Sequence, residues 1–280
     1  MLKLQKMLAP NNRELSYIEA GDPHGIPLIL LHGLGDSCRT FELLLKQFPG
    51  RIRAIAFTQR GHDGTDAPEA SYTTQDFEAD LLLFMNAAAI EVAFILGASS
   101  GGFAARNFAV HYPKRVLGLI LVGAPSALGD KPEIVKIQES TLSRLTDSVS
   151  PAFIKSFTEG LFAKSVSSDF LEIVNSELQK VPARVWKETS EGALKEKFPD
   201  RLDQLKAATL IICGDQDTIA SPKDQEKLTD AITGARLIIL PQLGHMLYWE
   251  DPEKVAEEIT SFIDNLKIGL DSVTFKYKKN

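Results

Sequence analysis

Cysteine is scarce in this chain: Cys38 and Cys213 are the two thiols in 280 residues, far apart and in no paired spacing. A disulfide scaffold does not fit, and a reducing compartment does. Cys213 lies in an apolar run and reads as a small buried filler. Long hydrophobic runs are also missing. No apolar stretch approaches the ~18 residues needed to span a bilayer. The start, Met1-Leu2-Lys3-Leu4-Gln5-Lys6, lacks the apolar core and small-residue cleavage site of a signal peptide. An excess of positive charge is absent too, with a formal net charge of −6. The basic run Lys276-Tyr277-Lys278-Lys279 is too short to alter that balance. Nucleic acid and membranes are therefore not expected partners. Internal repeats and low-complexity segments are lacking. The expectation is a soluble, cytoplasmic protein.

What is present is a regular alternation. Hydrophobic residues make up 44% and charged residues 24%, close to the globular average, so one large core is affordable. Short apolar runs recur at Pro27 to Leu31, Ile52 to Phe57, Val92 to Leu96, Val116 to Val122, Thr209 to Cys213 and Leu237 to Leu240. They are too short for helices and too uniformly apolar for half-exposed strands. Strands buried on both faces of a parallel sheet look like this. Helical patterns separate them. Thr74 to Ala88 opens with Thr74 as its expected N-cap and acids Asp76 and Glu78 in the first turn. Ser100 to His111, Pro222 to Ile232 and Pro252 to Leu266 follow, two of them with proline in the first turn. Such alternation predicts an α/β fold wound by right-handed crossovers.

One stretch breaks the rhythm. From about Ala127 to Leu205 no buried strand is evident, and helical patterns carry Phe153, Phe157, Leu161, Phe162, Phe170 and Trp186. This predicts a helical insertion at 127–205 between two halves of a core, 1–126 and 206–280; the alternative is several ordinary crossover helices. Ser272 to Tyr277 alternates like a strand or is a loosely ordered end.

The chemistry centres on Gly97-Ala98-Ser99-Ser100-Gly101-Gly102, where a predicted strand runs into a predicted helix. A sharp strand-to-helix turn puts its central serine in a strained conformation, and small residues two before and two after leave room for it. The turn lifts the hydroxyl to a helix N-terminus, which favours developing negative charge. Ser99 is the expected nucleophile. Ser100 is its rival. A serine hydroxyl needs a base. Of five histidines, His111 and His245 follow Ser99. His111 ends the helix begun at the elbow, which at ~1.5 Å per residue puts it roughly 18 Å away. His245 follows a strand in Gly244-His245-Met246, at the edge that carries Ser99. For the carboxylate that orients the base, Gly214-Asp215-Gln216-Asp217 lies after another strand. Asp217 is preferred, because Asp215 follows a turn glycine and is placed for local turn hydrogen bonds.

Acyl transfer also needs donors for a tetrahedral oxyanion. The backbone N–H groups of Ser100 and of Leu34, in His32-Gly33-Leu34-Gly35, are the expected pair. His32 and His62 read as loop residues. The glycines around His62 lack the Lys-Ser/Thr pair of a phosphate cradle.

With these residues in place the chain resembles the α/β-hydrolase superfamily, and more closely its single-domain bacterial serine hydrolases with a helical cap. The resemblance runs from about Leu15 to Leu266. It rests on His32 to Gly35, Arg60-Gly61-His62-Asp63-Gly64, the Ser99 elbow, Gly214 to Asp217 and Gly244-His245. It implies an eight-stranded, mostly parallel sheet, a cap inserted after the sixth strand, and hydrolysis that needs no cofactor or metal. Relatives commonly carry a large residue before the serine and methionine or leucine after it. Here these are Ala98 and Ser100, which would widen the acyl site. Asp63 stands where glycine is usual, with no evident reason. The function expected is hydrolysis of a small carboxylic ester through a covalent acyl-enzyme on Ser99, with a pocket lined by the cap aromatics. A lactonase, an amidase or a carbon–carbon bond hydrolase would use the same triad. A non-catalytic binding protein is the alternative of another class.

Overall fold

The structure, a computed structural model, describes residues 1–62, 71–197 and 201–270, with side chains of the last helix described as far as Leu266. Among these residues eight strands form one sheet: β1 (Gln5–Leu8), β2 (Glu14–Ala20), β3 (Ile26–Leu31), β4 (Ile52–Phe57), β5 (Ala93–Ala98), β6 (Val116–Val122), β7 (Thr209–Gly214) and β8 (Arg236–Leu240). Their order is β1-β2-β4-β3-β5-β6-β7-β8. The pairs β1/β2 and β2/β4 are antiparallel and the rest parallel. The six strands expected from apolar runs are present within one or two residues.

The first two strands lack that signal for a physical reason. β1 and β2 read Gln-Lys-Met-Leu and Glu-Leu-Ser-Tyr-Ile-Glu-Ala, with polar residues alternating on a partly solvated face. An antiparallel edge strand and its neighbour at the rim of a sheet are built that way. β8 corrects the expectation of burial on both faces, since it is the other edge and leaves Ile239 40% exposed.

Helices α1 (Glu42–Leu45), α2 (Thr74–Ala87), α3 (Gly101–His111), α8 (Pro222–Ala231), α9 (Leu247–Glu250) and α10 (Pro252–Leu270) flank the sheet. Four more, α4 (Pro132–Ser140), α5 (Pro151–Glu159), α6 (Ser168–Leu178) and α7 (Ala183–Leu194), lie between β6 and β7 and form a helical cap region. The N-cap of α2 is Thr73, not Thr74. Its hydroxyl accepts from the Asp76 N–H while the Asp76 carboxylate accepts from the Thr73 N–H, a reciprocal box that fixes the helix start. α3 begins at Gly101, with Ser100 as its cap residue. The alternating segment Ser272 to Tyr277 and the residues Asp63 and Gly64 lie outside the described residues. Among the described residues no helix is long and apolar enough to cross a membrane.

The strand order places the functional loops. From β3 the chain moves to β4 on one side, then returns to β5 on the other. The loops after β3 and β5 therefore leave the sheet at a switch point, where a crevice opens at the C-terminal strand ends. Leu31 is in register with Gly97, so the His32–Asp36 loop and the Ser99 elbow emerge side by side. Gly214 is in register with Leu240, which does the same for the Asp217 and His245 loops.

Candidate active site

Ser99 sits between β5 and α3 with φ +50, a left-handed conformation that a serine adopts only under constraint. The constraint is close packing of the turn. A Cβ on Gly97 would lie 2.6 Å from the Cα of Gly102, and one on Gly101 would lie 2.5 Å from the His32 carbonyl oxygen. Only glycine lets strand, helix and the neighbouring loop approach this closely. The Ser99 N–H donates to the Val122 carbonyl at 3.0 Å and holds the elbow to β6.

The hydroxyl then meets a relay. Ser99 Oγ lies 2.9 Å from His245 Nε2. His245 Nδ1 lies 2.9 Å from Asp217 Oδ2. The other carboxylate oxygen, Oδ1, accepts from the Ile219 and Ala220 N–H groups, each at 2.8 Å. Those two bonds fix the carboxylate plane and leave Oδ2 for the imidazole. Burial works against ionisation of Asp217, but His245 and the two N–H donors outweigh it and hold the carboxyl below its ordinary range. An ionised Asp217 demands a proton on Nδ1, which leaves Nε2 as the acceptor facing Ser99.

Leu34 and Ser100 line the same cavity. Among the described residues, neither the Leu34 nor the Ser100 N–H has an acceptor in the protein. The backbone at Gly33 is pressed against Ser99, since a Cβ there would be 2.9 Å from Ser99 Cβ. Leu34, Ser99, Ser100 and His245 all open into one cavity of about 520 Å³. Its walls come mainly from the cap region: Ile134, Ile137, Leu142, Phe153, Phe157, Leu161 and Leu194. Such a volume suits a small organic molecule.

The remaining expected residues fall as follows. Of the cap aromatics, Phe153 and Phe157 line the cavity, whereas Trp186 packs edge-on behind both, at 5.6 and 5.1 Å between centroids. Phe170 turns away onto Trp249, and Phe162 does not line the cavity, so the aromatic wall is smaller than expected. Ser100 opens into the cavity. Ala98 is fully buried in β5 and does not, so its small size widens nothing. Asp215 is exposed and accepts from the Gln242 N–H at 2.7 Å, pinning the turn after β7 against the His245 loop. His32 Nδ1 meets the Gly33 carbonyl and Nε2 accepts from the Gln59 N–H. Burial, with the neighbouring His62, holds its basicity well below the usual value, so it is a neutral loop brace. His62 is likewise pushed down by burial to about 4. His111 bridges Glu78 and Arg201 at the far end of α3.

Two acids matter that the motif pattern does not mark. Glu250, buried in α9, accepts from the Gly244 N–H at 2.8 Å on one oxygen. Its other oxygen accepts from the Ala163 and Lys164 N–H groups. Met246 N–H adds a bond to the Leu161 carbonyl at 2.9 Å. The His245 loop is thus clasped to the cap region. Asp36 is buried in the cavity wall, with its Oδ2 accepting from Thr40 at 3.2 Å. For Asp36 the sequence signal is an acid among small and apolar residues, Leu34-Gly35-Asp36-Ser37-Cys38, whereas Glu250 closes the apolar run Leu247-Tyr248-Trp249 and is followed by further charges.

Residues 26–252 match the model of the alpha/beta hydrolase fold family. The chain belongs to that family. This α/β hydrolase is 27% identical over 277 residues to a proline iminopeptidase of Pestalotiopsis fici, covering 91% of this chain and 97% of that one. It is 22% identical over 245 residues to 3-oxoadipate enol-lactonase 2 of Acinetobacter baylyi, covering 85% and 89% of the two chains. Among solved structures it superposes on an esterase from Exiguobacterium antarcticum with a TM-score of 0.82, at 22% identity over 93% of this chain and 99% of that one. Likeness at that identity concerns the fold.

Proposed function

We propose that this α/β hydrolase is a serine hydrolase of carboxylic esters. Ser99 is its nucleophile, His245 its base, Asp217 the residue that orients the base, and the Leu34 and Ser100 N–H groups its oxyanion donors. The observation that carries this reading is the unbroken relay from Ser99 Oγ through His245 to Asp217, at 2.9 Å in each step, on the floor of an apolar cavity. His245 Nε2 takes the Ser99 proton as Oγ bonds to the ester carbonyl carbon. The carbonyl oxygen becomes an oxyanion between the two N–H groups. Collapse breaks the bond to the alcohol, which leaves with the proton from His245. A water then gives its proton to His245 and attacks the acyl carbon, and Ser99 recovers its proton as the acid departs.

An ester is the best-supported substrate because a mostly apolar cavity wall suits an uncharged acyl chain. Turnover of a panel of esters and lactones of graded acyl length, with Ser99→Ala as the control, tests it. Wild-type protein should cleave esters and take one equivalent of a fluorophosphonate, and Ser99→Ala should do neither while remaining folded. Labelling without ester turnover moves the substrate to lactones, amides or carbon–carbon bonds. No labelling points to a non-catalytic binding protein.

A further inference from the structure

Asp36 is a cavity carboxyl that the reaction above leaves unused and that carries unspent hydrogen-bonding capacity. The residue is 4% exposed and shares the cavity wall with Ser99 and His245. A chain of bonds fixes its orientation. Trp249 Nε1 donates to Thr40 Oγ1 at 2.9 Å, so the single Thr40 hydroxyl proton goes on to Asp36 Oδ2 at 3.2 Å. The other oxygen, Oδ1, has no partner among the described residues, yet it is not sealed from the cavity. Oδ1 is therefore the polar atom of this residue that a molecule in the cavity can meet.

No cation is placed to keep this carboxyl ionised. Among the described residues, no lysine or arginine lines the cavity. Arg39, on the neighbouring turn, is committed to the Leu2 carbonyl and Glu42. Tyr248 of α9 lies close to Asp36, His245 and Glu133 of α4 line the same cavity, and Glu177 of α6, bonded to Ser37 Oγ at 3.3 Å, already holds the nearby Lys180 ammonium. Burial pushes the Asp36 carboxyl up to about 8, with only Thr40 opposing it. Thr40 donates to Oδ2, so Oδ2 is the carbonyl-like oxygen and the acid proton resides on Oδ1.

We propose that Asp36 is a specificity-determining residue that donates its Oδ1–H to a second oxygen of the substrate, so that the enzyme prefers esters bearing a keto, ether or hydroxyl oxygen over their hydrocarbon counterparts. This deepens the ester reading and rests on it for the reaction, while the recognition itself is a binding property of the cavity. A buried donor discriminates strongly against a ligand that leaves it unpaired.

The test uses matched esters in which one methylene at a time, first along the acyl chain and then along the alcohol, is replaced by a carbonyl or ether oxygen. Wild-type protein should favour at least one oxygenated ester by about ten-fold or more in kcat/KM near pH 6.5. That ratio should collapse as pH rises through 8, when Asp36 loses its donor. Asp36→Asn keeps an N–H donor and should retain the ratio with no pH dependence. Asp36→Leu should bring the ratio to about one. Calorimetry in a Ser99→Ala background reads the same preference as affinity, so the inference is tested even if no ester is turned over and only the reaction assignment fails. A ratio unchanged in Asp36→Leu, or a wild-type ratio flat from pH 6 to 9.5, overturns the inference. So does an Asp36-dependent preference for an ammonium-bearing ester, which would make Asp36 a cation-binding carboxylate.

Discussion

Removal of the Glu250 carboxylate should loosen the joint between the His245 loop and the cap region. Three backbone N–H groups, of Gly244, Ala163 and Lys164, converge on its two oxygens. In Glu250→Ala the Gly244 N–H stays buried without an acceptor, which costs about 1–3 kcal/mol. The Ala163 and Lys164 donors are only partly buried and regain water, so each costs about 0.5–1 kcal/mol. The expected loss of stability is about 3 kcal/mol, or roughly 6–12 °C in Tm for a chain of this size. Glu250→Gln keeps one acceptor oxygen and should fall about midway. The same variants should lower kcat about ten-fold, with a smaller change in KM, because the imidazole is held less firmly opposite Ser99. Urea unfolding gives the stability change from the midpoint at constant slope, and ester turnover gives the rate. A change below about 0.5 kcal/mol in Glu250→Ala, together with wild-type kcat, would refute the clasp.

Three further outcomes follow from the same geometry. Asp217→Asn removes the charge that selects the Nδ1–H form of His245, and kcat should drop by roughly 10³–10⁴ with little change in Tm. Asp36 is neutral in the folded state up to about pH 8 but ionises near 3.8 when unfolded, so the native state holds the extra proton and stability falls as pH rises between those values. Asp36→Asn cannot titrate, so its stability advantage over wild type should grow by about 1.4 kcal/mol per pH unit from 5.5 to 7.5 and level off above 8. Unfolding at several pH values reads this, and a constant difference would falsify it. Gly35 has φ +77, and a Cβ there would sit 2.1 Å from the Trp186 ring, which is itself wedged against Phe153 and Phe157. Gly35→Ala should therefore cost about 1–3 kcal/mol in thermal unfolding and also reduce turnover, since the Leu34 N–H belongs to the same loop.

The amino-acid sequence by itself determined the wound α/β sheet, because strands buried on both faces leave continuous apolar runs and every parallel crossover returns its loop to one sheet edge. It determined the elbow, since only Gly97 and Gly101 permit that packing, and with it the order Ser99, Asp217, His245 along the chain. It did not mark β1 and β2, whose polar alternation at one end of the sheet looks like ordinary surface. It also could not rank the cap aromatics. Phe153, Phe157, Phe170 and Trp186 are equally apolar, and only packing decides which two meet the cavity. Tertiary structure alone decided the roles of Glu250 and Asp36. A carboxyl has no fixed meaning in a sequence. Three converging N–H groups make Glu250 a clasp, whereas burial without a cation leaves Asp36 a neutral acid with one oxygen turned toward the substrate space.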